Sequence, residues 1–347
     1  MGLQNRTVQS KSAAELPQFA MLQMITGFWV SRAIYIAAKL GLADLVKDAP
    51  KTADELARLT GTHSPSLYRA LRALASVGVF ADDGQGRFAQ TPLSETLRSD
   101  TPGSLRAMAI AELGQAHFPA WGNLMHSVKT GEIAFDNLFK QSVWEYYARN
   151  PEDASNFNES MKGLTEMINV AALGAYDFSG VNKLVDVAGG TGGLISAILA
   201  AHPRMRGVLF DLPHVIVEAG PTLDAAGVRD RCETSAGDFF RTVPEGGAAY
   251  VMKWIIHDWD DEKATVILKN IHRAMDEKGK LLLIEMVVLE GNQPDLSKFI
   301  DLNMMVMTGG RERTEAEFKS LLAASGFELT RVIRTTFPVC VIEAVRA

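Results

Sequence analysis

From Asn182 onward the chain alternates short apolar runs with helical segments, and the runs are apolar without a break rather than at every second residue. Strands of that texture need cover on both faces. They belong to a largely parallel sheet sandwiched between helices, an α/β fold. The runs fall at 183–187, 206–210, 248–254, 279–288, 327–333 and 337–345. Helices are expected between them at 261–275, 295–307 and 315–325, the last opened by a Thr314/Glu317 capping box. Only Arg334-Thr335-Thr336 separates the final two runs, so these strands are expected to pair antiparallel at the edge of the sheet.

The first half has another texture. Residues 1–16 read as a loose polar tail. An apolar segment follows over 22–46, and it must be buried either in its own core or against a second copy of the chain. Thr52 and Glu55 form a capping box, so a helix begins at Ala53 and stops at Gly61. Ser64 and Pro65 read as the N-cap and first turn of the next helix, whose apolar face is Leu67, Leu71, Leu74 and Val77. A hairpin around Asp82–Gly86 follows. Helix, turn, helix and hairpin is the order of a winged helix. Residues 103–178 are helical and rich in aromatics that either fill a core or wall a pocket. The expected divisions are therefore 1–16, 17–105, 106–178 and 179–347.

Composition narrows the function classes. Of 347 residues, 47% are hydrophobic, which supplies a sizeable core. The net charge of −6 and a near balance in residues 1–100, 11 Lys/Arg against 9 Asp/Glu, speak against nucleic-acid binding by the winged helix. Two distant cysteines, Cys232 and Cys340, exclude a disulfide framework and a cysteine zinc site. No run reaches about 18 uncharged apolar residues, and the first residues lack a signal-peptide core. A cytoplasmic protein with no membrane partner is expected.

Chemistry begins at the tip of the first of these strands. The turn 186–193 joins strand to helix with small residues, allowing close approach of a ligand to backbone N–H groups. Asp211 ends the second strand, suitably placed for ribose hydroxyls. Turn and acid together fit either a dinucleotide or an adenosyl ligand. A further strand precedes Gly237, making 248–254 the fourth; Asp238 and Phe239 follow that third strand and suit an adenine. The fourth runs into Lys253-Trp254-Ile255-Ile256-His257-Asp258-Trp259-Asp260-Asp261-Glu262. The last three residues of that run suit a helix N-terminus.

In this order and spacing, LVDVAGGTGG, FDLPHVI, GDFF, MKWIIHDWDDE and GRERTEAEF resemble the S-adenosylmethionine-dependent small-molecule O-methyltransferases, over roughly residues 20–345. The resemblance implies a Rossmann-like catalytic domain preceded by a winged-helix domain that dimerises. It implies cofactor contacts from Ala188, Gly189, Gly190, Gly192, Asp211, Leu212, Asp238, Phe239 and Lys253. Ala188 stands where the family usually has glycine, a small intrusion that cofactor binding should survive. His257 matches the general base, Glu285 and Glu312 the acids that bracket it, and Asp258 a helper. A phenol with pKa near ~10 is a poor nucleophile, and an imidazole can take its proton as the oxygen attacks the sulfonium methyl. Trp144, Tyr147, Phe157, Met161, Asn303, Met304 and Met307 match cofactor and acceptor contacts.

The resemblance thus implies an O-methyltransferase for a hydroxyl of an aromatic small molecule, working as a homodimer; no further tight acidic cluster follows the strands and deprotonation by histidine makes a metal unnecessary, so none is expected. Met307-Thr308 precedes Gly309-Gly310 where many plant members have Asn-Pro, which leans towards a bacterial-type secondary metabolite. Two alternatives share the fold: a non-methylating relative that hydroxylates or decarboxylates, and a winged-helix regulator that senses S-adenosylmethionine.

Overall fold

The structure is a computed structural model that describes residues 16–347. The expected tail at 1–16 lies, but for its last residue, outside the described residues. The chain divides into two compact units, Met1–Gly114 and Gln115–Ala347.

In the first unit, α1 (Pro17–Lys39) and α2 (Leu42–Leu45) precede β1 (Lys51–Thr52), α3 (Ala53–Thr60) and α4 (Ser64–Ser76). Then come β2 (Ala81–Asp82), β3 (Arg87–Ala89), α5 (Pro92–Glu95) and α6 (Arg106–Glu112). The strands form a small antiparallel sheet in the order β1-β3-β2. The core gathers Leu56, Leu67, Leu71, Leu74, Phe80 and Phe88. Thr52 caps α3 with the reciprocal Glu55 bond. Ser64 is not a cap: its hydroxyl bonds to Asp54, and His63 takes the cap position. The unit ends after Gly114 rather than 105, because α6 packs on α1.

Helix α1 is apolar on nearly every side, and only Ala37 and Ala38 are buried. Met24, Ile25, Phe28 and Trp29 are each more than half exposed. By length and composition it could cross a membrane, which a search for uncharged runs does not reveal.

The second unit opens with five helices: α7 (His117–Gly122), α8 (Leu124–Thr130), α9 (Ala134–Phe139), α10 (Val143–Arg149) and α11 (Pro151–Ala175). Residues 115–178 therefore belong with the sheet rather than forming a linker of their own. The sheet strands are β4 (Lys183–Val187), β5 (Arg206–Asp211), β6 (Cys232–Ala236), β7 (Ala249–Lys253) and β8 (Lys280–Glu285). Between them lie α12 (Gly193–Ala201), α13 (Pro213–Ile216), α14 (Gly220–Ala225) and α15 (Asp261–Ala274). After β8 come β9 (Val287–Val288), α16 (Ser297–Met307), β10 (Arg313–Thr314), α17 (Glu315–Ala324), β11 (Phe327–Arg334) and β12 (Cys340–Arg346).

Seven strands run in the order β11-β12-β8-β7-β4-β5-β6. All pairings are parallel except those of β12, which is antiparallel to both neighbours. Val185, Tyr250, Met252 and Leu283 face α15 and α17, while Leu184, Leu209, Val251 and Ile284 face α11 and α12. Both faces are dry, as unbroken apolar strands require. The chain leaves β4 for β5 on one side and returns to β7 on the other. That reversal opens a crevice beyond the carboxyl ends of the central strands. The run expected at 279–288 breaks at Met286, where β9 leaves the main sheet to pair with β10. The break makes Glu285 the last residue of β8.

Candidate active site

Every strand that ends at the crevice delivers polar or glycine residues to it. After β4 the backbone enters the left-handed region at Ala188 (φ 59°), Gly190 (φ 62°) and Gly192 (φ 88°). Only glycine does this freely, so Ala188 is strained and not merely bulky. At Gly189 the constraint is space: an added Cβ would stand 2.5 Å from Asp186 Oδ2 and from a Leu209 methyl. Asp211 holds the loop, accepting from Gly190 N–H at 2.8 Å and Leu212 N–H at 2.7 Å.

Beneath the loop lies Asp186, wholly buried, with one carboxylate oxygen unpartnered among the described residues. Burial pushes its pKa up against the opposing charge of Lys253. Burial likewise pulls Lys253 down, with Asp186 opposing. The Lys253 ammonium donates to Thr165 Oγ1 at 2.9 Å. Thr165 and Asn169 of α11 flank Gly193 at the start of α12, and Asn169 Oδ1 is buried with no partner among the described residues. These unsatisfied buried atoms fit a polar ligand in the cradle. Asp238 accepts from Phe240 N–H at 2.9 Å, and Phe239, Phe240 and Trp259 pack edge to face beside it.

His257 sits on a single 3-10 turn just after β7 and is 8% exposed. Its Nδ1 lies 2.7 Å from Glu312 Oε1 and 3.9 Å from Glu285 Oε2, and its Nε2 is 3.9 Å from Asp258 Oδ1. The four residues expected to act together from sequence are thus gathered from three separate segments. Burial alone would lower the His257 pKa. The charges of Glu285 and Asp258, with the bond and charge of Glu312, outweigh it and push the pKa up to about 10. Burial pushes the Glu285 carboxyl up despite His257. Its Oε1 accepts from the N–H groups of Ile255 and Ile256 at 3.1 and 2.8 Å, which fixes the turn carrying the histidine.

The spacing of His257, Glu285 and Glu312, with ligand atoms within 4.8 Å, is also that of a possible ion site. The 2.7 Å Glu312 contact is a hydrogen-bond length, and that bond selects the tautomer leaving Nε2 to face a ligand.

Sequence reasoning missed the clamp around this turn. Arg313 is 1% exposed and donates to Asp261 Oδ1 at 2.8 and 2.9 Å, to Ile256 O at 3.1 Å and to Trp259 O at 2.8 Å. Gly310 lets the two loops touch: an added Cβ would stand 2.0 Å from His257 O. Both lie within the quoted G-R-E-R-T run, which was the available signal. Trp254 was also passed over, and its ring lies against His257.

The expected pocket residues divide. Tyr147 and Met307 are buried in one cluster with Phe135, Val143 and Tyr146, and Phe157 packs on it. Phe157 stacks on Tyr147 at 4.9 Å, and Trp144 meets it edge-on from an exposed position. Asn303 accepts from Trp121 Nε1 at 2.8 Å. Met304 is buried, and Met161 half-buried on α11.

A family model described as the O-methyltransferase domain matches residues 121–328, and one described as the O-methyltransferase dimerisation domain matches 22–100. The chain is 48% identical over 324 residues to the phenazine O-methyltransferase PhzM of Lysobacter antibioticus, covering 93% of this chain and 95% of that one. The crystal structure of LaPhzM superposes with a TM-score of 0.89 at 47% identity, over 96% and 100% of the two chains. The O-methyltransferase NcsB1 of neocarzinostatin biosynthesis, solved with S-adenosylmethionine and 2-hydroxy-5-methyl naphthoic acid, superposes with a TM-score of 0.78 at 32% identity, over 91% and 96%.

Proposed function

Because this chain belongs to the S-adenosylmethionine-dependent O-methyltransferase family, we propose that it methylates a hydroxyl of a planar, fused-ring aromatic metabolite, with His257 as general base. The observation that carries this reading is the 2.7 Å bond from Nδ1 to Glu312 in a buried carboxylate cage, which engages Nδ1 and leaves Nε2 as the nitrogen through which the ring exchanges its proton with the acceptor. The first acceptor to try is a phenazine, a choice supported by the 48% identity to a phenazine O-methyltransferase.

The cofactor, when bound, supplies a methyl group already activated on a sulfonium. What remains for the chain is positioning and proton management. Asp211 and the small-residue turn 188–192 cradle the nucleoside end, with Leu212, Asp238 and Phe239 around it. Lys253 fixes Thr165 over the start of α12. His257 Nε2 takes the acceptor's proton while Glu312 and Glu285 stabilise the imidazolium. A histidine raised towards the ~10 of a phenol makes two proton positions nearly equal in energy: neutral imidazole with hydroxyl, and imidazolium with ionised oxygen. Asp258 adds a further negative charge on the Nε2 side. No metal is required for this deprotonation, so turnover should survive a chelator.

The acceptor pocket draws on Tyr147, Phe157, Met161, Asn303, Met304 and Met307, with Trp144 at its rim. The exposed apolar side of α1 forms the interface of a homodimer. The dimerisation-domain match over 22–100 supports burial against a second copy rather than in a bilayer. An intact base with both acids speaks against the non-methylating and regulatory alternatives.

The test is incubation with S-adenosylmethionine and a panel of hydroxyphenazines, flavonoids, anthraquinones and hydroxynaphthoates. Products are weighed by mass spectrometry and S-adenosylhomocysteine is measured in parallel. One methyl gained per S-adenosylhomocysteine released, on a fused-ring hydroxyl, is the expected result. A gained oxygen or a lost carboxyl would overturn it.

A further inference from the structure

Trp254 is the residue whose local structure the account so far leaves unused. It follows β7 with φ 53°, in the left-handed region that a bulky residue rarely enters. Along β7, Tyr250 and Met252 face α15, and Ala249 and Val251 face the opposite layer. Simple alternation would send Trp254 with Tyr250 and Met252. Its ring packs instead against the cluster of Val251, Ile284 and Met286, on the other face of the sheet. The left-handed step is what reverses it, and the backbone is pinned there by Trp254 N–H donating to Ile284 O at 3.1 Å.

The reversal sets the indole beside the imidazole of His257, with ring centroids 6.0 Å apart and planes inclined by 25°. It also takes the indole Nε1 out of water with no partner among the described residues. A tryptophan N–H is a donor only, and buried donors are ordinarily paired. Three features thus converge on one residue: an unfavourable backbone, a near-parallel ring against the histidine, and an unsatisfied donor. Packing alone would need none of them, since an aliphatic side chain in an ordinary strand conformation would fill the same layer.

We propose that Trp254 is a positioning residue whose indole face holds the imidazole plane of His257 and whose N–H donates to an oxygen of the bound acceptor. The proposal rests on the reading of His257 as base. The face, within reach of a cation–π contact, favours the imidazolium that forms when His257 takes the proton. The N–H fixes the acceptor so that its hydroxyl meets Nε2.

Two variants separate these roles: Trp254→Phe keeps a ring face and lacks the N–H, and Trp254→Leu lacks both. Steady-state kinetics use the panel member that the wild type turns over fastest, and calorimetry follows S-adenosylhomocysteine binding. Trp254→Phe should raise the acceptor KM about tenfold, with the pH profile of kcat and the S-adenosylhomocysteine Kd unchanged. Trp254→Leu should also lower kcat at least about tenfold and move the rising limb of the profile, where His257 loses its proton, to lower pH, because the imidazolium loses support. Retained S-adenosylhomocysteine binding shows that either variant is folded. An unchanged acceptor KM in Trp254→Phe overturns the N–H assignment, and so does a weakened Kd for S-adenosylhomocysteine with KM unmoved. Identical pH profiles in all three proteins overturn the stacking role. If His257→Ala keeps full turnover, the base assignment falls by itself, and the KM effect of Trp254→Phe still reports on the acceptor contact.

Discussion

Ala188→Gly offers a quantitative check on the cofactor loop. Ala188 occupies φ 59° between β4 and α12, while its N–H donates to Phe210 O at 2.8 Å. An alanine in the left-handed region costs roughly 1–2 kcal/mol. Glycine removes that strain but loosens the unfolded chain, which costs about 0.4–1 kcal/mol. The net expectation is a stabilisation of about 0.5–1 kcal/mol. For a cooperative unit of this size that is a rise in Tm of about 1–4 °C. Circular dichroism melts of both proteins at one concentration, without cofactor, measure it. The S-adenosylmethionine Kd should stay within about threefold, since the Gly190 N–H bond to Asp211 and the space at Gly189 are untouched. A lower Tm for the glycine variant would refute the strain argument. A tenfold tighter Kd would show that Ala188 obstructs the cofactor rather than only straining the chain.

Glu312→Gln removes the negative partner of His257 Nδ1, so the histidine pKa, now raised to about 10, falls by about 1–3 units. The rising limb of kcat against pH, below which His257 holds a proton and cannot act as base, should move to lower pH with it; a limb left in place would mean another group titrates. Gly310→Ala forces a Cβ onto His257 O, so kcat should drop by at least about a hundredfold while the S-adenosylhomocysteine Kd, set by residues of the 188–211 loops, changes little. Unaltered kcat would remove the loop contact from the catalytic geometry. Phe28→Asp with Trp29→Asp charges the exposed side of α1, and light scattering at micromolar concentration should move from the mass of two chains to that of one. A wild type that scatters as a single chain would contradict the dimer.

The sheet was legible because buried parallel strands announce themselves as unbroken apolar runs, and because Thr52/Glu55 and Thr314/Glu317 write their caps in four residues each. His257, Glu285 and Glu312 were readable through a motif order, not through local chemistry, since 55 residues separate the hydrogen-bonded pair. What escaped depends on contacts far along the chain or on backbone twists without a glycine to mark them. Arg313 looks like a surface charge until Ile256, Trp259 and Asp261 are folded around it. Trp254 turns left-handed in a sequence with no turn residue, and a strand reading assigns it to the wrong face. Helix α1 is apolar nearly all round, so its pattern could not separate a core helix from an interface; its exposure in the single chain excludes the core helix. The unit boundary moved from 105 to 114 for a similar reason, since nothing in α6 itself says that it packs on α1.

The central claim is that His257 moves the proton and does not hold the cofactor. His257→Ala, assayed for methyl transfer and for S-adenosylhomocysteine binding by calorimetry in one preparation, addresses it most directly. The account predicts a loss in kcat of about 10²–10⁴-fold with a Kd within about threefold of wild type. Near wild-type turnover at unchanged Kd would contradict it.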